Sequence, residues 1–285
     1  MDERVLTLKR LAEECRLNVL RMLRASGHGH VGGALSAIDM VTALYFDTMA
    51  VDPKKPNWPD RDRFLLSAGH KCLAQYAVLA EKGYFDKAVL DTYGSLHAKI
   101  PGHPDMHKLP GIEANTGALG HGLSIACGMA AAARLQGRSY RTYVIMGDGE
   151  LPEGSNWEAA AAAPKFGLDN LVLLLDYNGL QISGPVNTIM DMEPIADKFS
   201  AFGWHVLTMD GNDMEQIVDT LDLVAEGTGK PTVIIAKTIK AKGLTEGEGD
   251  VAYHFWAPTP DDLDQAEADT KGLIAAIERE LEAVS

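Results

Sequence analysis

The chain has 285 residues, 46% of them hydrophobic, which is sufficient for a sizeable buried core. Its formal net charge of −14 disfavours nucleic acid and membrane surfaces as partners, because like charges repel each other. The first residues carry charges where a signal peptide would be apolar, and no apolar run approaches the roughly 18 residues of a membrane span. We therefore expect a cytoplasmic protein that binds any anionic ligand through local groups.

The apolar residues recur at two periods, which predict helices alternating with strands along one domain, residues 1–285. Fully apolar strands that alternate with helices pair in parallel and are covered on both faces, so the predicted fold class is α/β. In chain order we expect helix 5–26, helix 36–46, a strand within 62–70, helix 71–82, helix 123–135, strand 142–146, helix 155–165, strand 171–175, strand 205–209, helix 214–225, strand 232–236 and helix 261–285.

Residues 93–122 form the longest stretch without a predicted helix or strand. The segment is rich in Gly, Pro and His, and a structureless connection of this length is usually functional. Ligands of parallel sheets bind beyond the carboxyl ends of the strands. We therefore expect this loop to contribute to a site at that edge.

Two glycine patterns that suggest nucleotide binding lack the required context. Gly27, Gly29 and Gly32 spell G-x-G-x-x-G, but a helix precedes them where the dinucleotide fingerprint needs a strand. The sequence GTGK at 227–230 lacks the first glycine and the Ser or Thr of a P-loop. Both nucleotide-binding interpretations are therefore rejected.

The strongest functional pattern follows two neighbouring apolar strands. Asp148, within Gly-Asp-Gly, and Asn178 stand 30 residues apart, each just past a strand end. A carboxylate, an amide oxygen and a backbone carbonyl form a hard oxygen set that suits octahedral Mg²⁺ completed by diphosphate oxygens and water. Gly147 and Gly149 would let the backbone approach that diphosphate closely.

This pattern resembles the thiamine diphosphate motif, which begins Gly-Asp-Gly and ends in Asn about thirty residues later. Further segments resemble the transketolase family over roughly residues 10–260. They are GHVGGALSAIDMVTALYF, DRFLLSAGHKCLAQY, PGHPDMHKLPGIEANTGALGHGLSIACGMAAA, and KTIKAKG with the later HFWAP. The resemblance implies a thiamine diphosphate-binding fold with thiamine diphosphate and Mg²⁺ as cofactors.

The resemblance also implies roles for individual residues. The metal ligands would be Asp148, Asn178 and the carbonyl of Leu180. Residues near the cofactor would be His70, Gly117, Ala118, Leu119, Gly120, His121, Gly147, Asp148, Gly149, Glu150 and Asn178. The catalytic histidines would be His30, His70, His103 and His254.

The assignment of the first histidine stays open between two positions. The family's Ser-Gly-His favours His28, whereas the register of the following Gly-Gly-x-Leu-Ser favours His30, which we prefer because that match is longer. An ordinary histidine pKa near 6.5 would let neutral and charged forms coexist near pH 7 for proton transfer. Lys237 and Lys242 are candidates for anion contacts or for loop closure.

A complete transketolase is more than twice as long, and its second domain provides the glutamate that activates the aminopyrimidine. By resemblance, this chain is the N-terminal subunit of a split transketolase, which transfers a two-carbon ketol unit from a ketose to an aldose. Its partner would be a separately encoded C-terminal, pyrimidine-binding subunit in a 2+2 heterotetramer. The substrates would be small sugars with an anionic end group such as a phosphate or a sulfonate.

Three alternatives remain open at this point. The chain could belong to a related thiamine diphosphate enzyme, either a deoxyxylulose-phosphate synthase fragment or the alpha subunit of a 2-oxo acid dehydrogenase. It could be a non-catalytic cofactor-binding module. A zinc site made of His28, His30, His103 and His107 is a third interpretation, although no cysteine or H-E-x-x-H accompanies those histidines.

Overall fold

A five-stranded parallel sheet forms the centre of the computed structural model, which describes residues 2–284. The predicted ends at Met1 and Ser285 lie outside the described residues. The strands are β1 (Arg63–Leu66), β2 (Thr142–Gly147), β3 (Leu171–Tyr177), β4 (Leu180–Gln181), β5 (Gly184–Pro185), β6 (His205–Asp210) and β7 (Thr232–Lys237). The sheet has the order β1-β2-β3-β7-β6, while β4 and β5 form a separate antiparallel pair.

Helices cover both faces of this sheet. They are α1 (Glu3–Ser26), α2 (Gly32–Ala43), α3 (Cys72–Lys82), α4 (Gly122–Leu135), α5 (Gly154–Lys165), α6 (Val186–Ile189), α7 (Ile195–Phe202), α8 (Met214–Ala225) and α9 (Pro260–Val284). The first helix is capped at both ends. Asp2 accepts a hydrogen bond from the Arg4 N–H at 3.1 Å, and Gly27 adopts a left-handed φ of 75°.

The apolar run of β3 explains why the sheet is buried on both sides. Leu171, Leu173 and Leu175 belong to one hydrophobic core cluster with residues of α4, α5 and α7, whereas Val172 and Leu174 belong to another with residues of α1, α2, α3, α8 and α9. Successive strand side chains point to opposite faces, so a strand between two helical layers is apolar throughout. The α/β sandwich expected from the sequence is present.

Two parts of the element prediction need correction. Helix α2 begins at Gly32, four residues before the expected start at Ser36, because close packing overrides the low helix propensity of glycine. Helices α6 and α7 and the strand pair β4–β5 lie in a segment for which the sequence predicts no element. Residues 93–121 contain no helix longer than a turn and no strand, as expected. None of the helices within residues 2–284 is long and apolar enough to cross a membrane.

Candidate active site

Two paired strands bring the predicted metal ligands together at one edge of the sheet. β2 and β3 run in parallel, so Asp148 and Asn178 follow at neighbouring carboxyl ends. Backbone amides hold the Asp148 carboxylate, because the Gly149 N–H donates to Oδ1 at 2.9 Å and the Gly179 N–H donates to Oδ2 at 2.6 Å. The Leu180 N–H donates to Asn178 Oδ1 at 3.1 Å. The loop backbone therefore orients both side chains.

The Asp148 carboxyl lies in an environment that disfavours its own charge. It is 2% exposed, and burial, with the negative charge of Asp176 second, raises its pKa to about 6. The ammonium of Lys71 acts in the opposite direction. A cation bound at this carboxylate would relieve that penalty, so the site has the electrostatics of a cation ligand.

A cavity of about 320 Å³ lies at these strand ends. The residues that line it are His30, Gly33, Ala68, His70, Lys71, His103, Gly117, Leu119, Gly147, Asp148, Gly149, Glu150, Asn178, Leu180, Gln181, Ile182, Lys240 and His254. The structure thus gathers most of the predicted site residues, although they come from segments more than two hundred residues apart along the chain.

Three predicted cofactor residues lie outside this lining. Ala118 and His121 are exposed, and His121 immediately precedes α4. Gly120 is buried, and its N–H donates to Glu150 Oε1 at 3.1 Å. Glu150 also accepts a hydrogen bond from Ser67 Oγ at 2.5 Å. Since Ser67 follows β1 and Glu150 follows β2, this carboxylate connects the loop at residues 117–121 to the ends of both strands.

Three of the predicted catalytic histidines form one cluster. The ring centroids of His30 and His70 are 5.4 Å apart, those of His70 and His254 are 5.3 Å apart, and those of His30 and His254 are 5.6 Å apart. His103 lines the same cavity from the long loop, where it packs against Gly117. A Cβ on Gly117 would lie 2.7 Å from His103 Cδ2 and would displace that ring, and the φ of 143° also favours glycine there.

The protonation of this cluster differs from the expectation based on an ordinary histidine pKa. Burial, and then the neighbouring ammonium of Lys71, lowers the pKa of His70 to about 2. Burial and Lys240 lower the pKa of His254 to about 4, while burial and His103 lower the pKa of His30. These rings are therefore neutral near pH 7, and they would act as hydrogen-bond donors and acceptors in this state.

The structure separates the two candidates for the first histidine. His30 lines the cavity, whereas His28 is exposed and absent from the lining. The His28 ring packs on Phe255 at a centroid distance of 5.2 Å, and Phe255 in turn contacts His30 at 4.9 Å. His28 thus lies at the rim of the site.

One buried lysine in the KTIKAKG segment was not predicted from the sequence. Lys237 is exposed and Lys242 pairs with Glu248 at 3.1 Å, whereas Lys240 lines the cavity and is 2% exposed. Lys240 Nζ lies 3.1 Å from His254 Nδ1 and has no carboxylate partner within residues 2–284. Burial, and then the charge of Lys71, lowers its pKa to about 8.

A second missed lysine forms a buried ion pair beneath the cavity. The Lys71 ammonium donates to Asp176 Oδ2, and this carboxylate also accepts from Ser36 Oγ at 2.6 Å and from Thr238 Oγ1. Lys71 is 4% exposed and Asp176 is fully buried. The Ser36 hydroxyl also accepts from Asn178 Nδ2 at 3.4 Å, so the ion pair is linked to a predicted metal ligand.

A glycine pair at the start of α2 makes room for both lysines. A Cβ on Gly32 would lie 3.0 Å from Lys240 Cε, and a Cβ on Gly33 would lie 2.9 Å from Lys71 Cε. Glycines inside a helix are unfavourable, so this pair was the sequence signal for a close approach. The positive φ of 59° at Ala241, which is fully buried, marks a further constrained position beside Lys240.

The residues present fit Mg²⁺ and a diphosphate. No group of three or more His, Cys, Asp or Glu side chains that could hold a metal occurs in the described chain. The expected site instead has one carboxylate, one amide oxygen and one backbone carbonyl, which leaves positions for phosphate oxygens. The buried ammonium of Lys240, which forms no ion pair with a carboxylate within residues 2–284, provides an attractive charge for the same anion.

Comparison with known proteins decides the family. Residues 7–271 match the family model described as transketolase, thiamine diphosphate binding domain. The chain belongs to the transketolase family. A solved transketolase from Campylobacter jejuni superposes with a TM-score of 0.87 at 32% identity, covering 95% of this chain and 43% of that one. This confirms the predicted transketolase-like α/β fold, and the chain spans less than half of that transketolase.

Two curated transketolase subunits match over nearly their whole length. The chain is 43% identical over 274 residues to an apulose-4-phosphate transketolase subunit of Phocaeicola vulgatus, covering 96% of this chain and 97% of that protein. It is 41% identical over 280 residues to 6-deoxy-6-sulfo-D-fructose transketolase subunit SqwG of a Clostridium species, covering 98% and 99%. These lengths agree with the expectation of a transketolase divided between subunits.

Proposed function

We propose that this chain is the N-terminal, diphosphate-binding subunit of a split transketolase, which transfers a two-carbon ketol unit from a ketose to an aldose. The observation that carries the proposal is the 320 Å³ cavity, in which the three predicted metal ligands and four predicted catalytic histidines meet. Two relatives of matching length, both named as transketolase subunits, support the division into subunits.

Mg²⁺ would be held by Asp148, Asn178 and the carbonyl oxygen of Leu180, with the remaining positions filled by diphosphate oxygens and water. The Leu180 carbonyl accepts only a long hydrogen bond, at 3.4 Å, from Lys240. Lys240 can therefore turn its ammonium to the diphosphate while this carbonyl binds the metal. The raised pKa of Asp148 supports the assignment, because a divalent cation favours the ionised carboxylate.

Thiamine diphosphate, when bound, supplies the electron sink for breaking and forming the carbon–carbon bond. Gly147, Gly149 and Gly117 would allow its close approach, and His70 would contact its diphosphate end. Leu119 and Glu150, which also line the cavity, would border it. Ala118, Gly120 and His121 lie outside the cavity lining. We therefore assign them a structural role in the loop that carries Gly117 and Leu119 into the cavity.

The neutral histidines would bind the substrate and hold protons at its oxygens. His30 and His103 are assigned to the substrate hydroxyl and carbonyl groups, and His254 to the substrate beside Lys240. Because burial and nearby ammonium groups lower the pKa of His70 and His254, each ring can donate one hydrogen bond and accept another near pH 7. A bound anion would offset part of the ammonium charge and raise those pKa values again.

A C-terminal, pyrimidine-binding subunit would complete the site, and we propose a 2+2 heterotetramer. Ile182 in the cavity lining and Phe255 beside His30 are 67% and 48% exposed, which suits a surface covered by another subunit. We propose a ketose with an anionic end group as donor, since the named substrates of the two relatives carry a phosphate and a sulfonate. Location in the cytoplasm stays a prediction.

The test is a ketol-transfer assay with the chain and its separately purified partner, thiamine diphosphate, Mg²⁺, and phosphorylated or sulfonated ketose donors. We expect product only when both subunits are present. Asp148→Ala should abolish transfer, whereas Asp219→Ala, at an exposed position of α8, should leave it unchanged. Undiminished transfer in Asp148→Ala would contradict the metal assignment, and transfer by the chain alone would contradict the divided site.

A further inference from the structure

Lys71 has donor capacity that the protein does not use. An ammonium group carries three N–H donors, and within residues 2–284 this one donates to Asp176 alone. Lys71 is 4% exposed and lines the 320 Å³ cavity, so its ammonium is buried and adjoins that cavity. Unused donors on a buried charged group are unfavourable, which indicates that the cavity's ligand accepts them.

Packing fixes the position of this ammonium. The Lys71 stem passes Gly33, where a Cβ would come within 2.9 Å of Lys71 Cε. The ammonium ends against Gly147, where a Cβ would lie 3.1 Å from Nζ. Gly147 precedes Asp148 and opens the loop to which the diphosphate is assigned. The ammonium therefore lies at the inner wall of the anion site.

Asp176 holds Lys71 in place without closing it off from the cavity. The Asp176 carboxylate is shared by three donors, because Ser36 Oγ and Thr238 Oγ1 also bond to it. Asp176 belongs to β3 and is paired with Gly147 on the neighbouring strand β2. The carboxylate is therefore anchored below the loop, and the ammonium lies between it and the cavity.

We propose that Lys71 is a second ammonium ligand, beside Lys240, for the diphosphate-type anion that the cavity binds. This inference rests on the proposed function, since that function assigns the anion. Asp176 fixes the ammonium with one hydrogen bond, and the remaining N–H donors bind phosphate oxygens. Mg²⁺ and the two lysines would then bind different oxygens of one diphosphate.

Calorimetric titration of thiamine diphosphate with saturating Mg²⁺ into the assembly of both subunits tests the proposal. Lys71→Met should weaken binding about tenfold to a hundredfold, the equivalent of one charge-assisted hydrogen bond. The double variant Lys71→Met with Asp176→Asn removes both buried charges, so it avoids leaving an unpaired carboxylate if the single variant fails to fold. It should be weakened similarly. Lys165→Met, which removes an exposed cation at the end of α5, is the matched control and should bind normally.

The outcomes separate this inference from the proposed function. Native affinity in the double variant would mean that Lys71 only neutralises Asp176, and it would overturn the inference alone. Absence of binding by the native assembly would overturn the proposed function as well. Weak binding in the double variant, with urea unfolding as cooperative as that of the native assembly, would support direct contact between Lys71 and the anion.

Discussion

The substitution Asp148→Asn should make the metal-free chain more stable near neutral pH while removing its metal site. Burial and Asp176 raise the pKa of Asp148 from 3.8 to about 6. The folded chain therefore binds a proton here more tightly than the unfolded chain does. The contribution of this carboxyl group to the free energy of unfolding is therefore most favourable below about pH 4. It decreases as the pH rises from 3.8 to 6 and stays low at higher pH.

The size of the effect follows from the same pKa values. A tenfold change in proton affinity corresponds to about 1.4 kcal/mol. The higher pKa of Asp148 in the folded chain therefore lowers the free energy of unfolding above pH 6 by about 3 kcal/mol relative to its value at acidic pH. Asparagine is neutral, but its amide NH₂ would replace one carboxylate oxygen that accepts from the N–H of Gly149 or Gly179. The two donors would then face each other, which costs about 1 kcal/mol. We expect a net gain of about 2 kcal/mol at pH 8 and a net loss of up to about 1 kcal/mol at pH 4, where the carboxyl group of the folded native chain is protonated.

Urea unfolding in EDTA, followed by circular dichroism between pH 4 and pH 8, measures this difference. Asp219→Asn on the exposed face of α8 is the control, and it should change stability by less than about 0.5 kcal/mol. In the assembly with the partner subunit, Mg²⁺ and thiamine diphosphate should stabilise the native chain and leave Asp148→Asn unaffected. Equal destabilisation of Asp148→Asn at pH 4 and pH 8 would refute the reasoning, because the carboxylate charge would then not be the cause.

Three further substitutions have defined outcomes. His103→Ala should spare cofactor affinity, measured by calorimetry, while lowering turnover of the assembly about a hundredfold; unchanged turnover would remove His103 from the catalytic group. Gly117→Ala should weaken cofactor binding, because the added Cβ meets His103 at 2.7 Å and the φ of 143° is strained for alanine; native affinity would contradict the tight fit. Trp204→Phe should lower the free energy of unfolding by about 1–3 kcal/mol, since Trp204 Nε1 donates to the buried Ala160 carbonyl at 2.7 Å, and urea unfolding checks this.

The sheet and its functional edge could be predicted because both depend on local patterns. The runs 142–146 and 171–175 are apolar and flanked by Gly-Asp-Gly and Asp-Tyr-Asn, so strand ends and polar ligands coincide in the sequence. The observed β2 and β3 extend one and two residues further but end at the expected ligands. Parallel pairing then places Asp148 near Asn178 without further information.

The lysines could not be predicted in the same way, because their burial arises from contacts far apart in the chain. Lys240 enters the cavity only because the glycine at position 32 leaves space for its stem, and Lys71 depends likewise on position 33. Lysine is almost never fully buried unless paired, so the ordinary expectation is an exposed side chain. The lowered pKa values of His70 and His254 were missed for the same reason, since those lysines are among their causes.

The central claim is that this chain provides the diphosphate half of a thiamine diphosphate site shared with another subunit. Calorimetric titration of thiamine diphosphate with Mg²⁺, into the chain alone and then into the chain mixed with its partner, tests it most directly. We predict tight binding in the mixture and weak or undetectable binding by the chain alone, because only the mixture encloses both ends of the cofactor. Absence of binding heat in both titrations would contradict the claim.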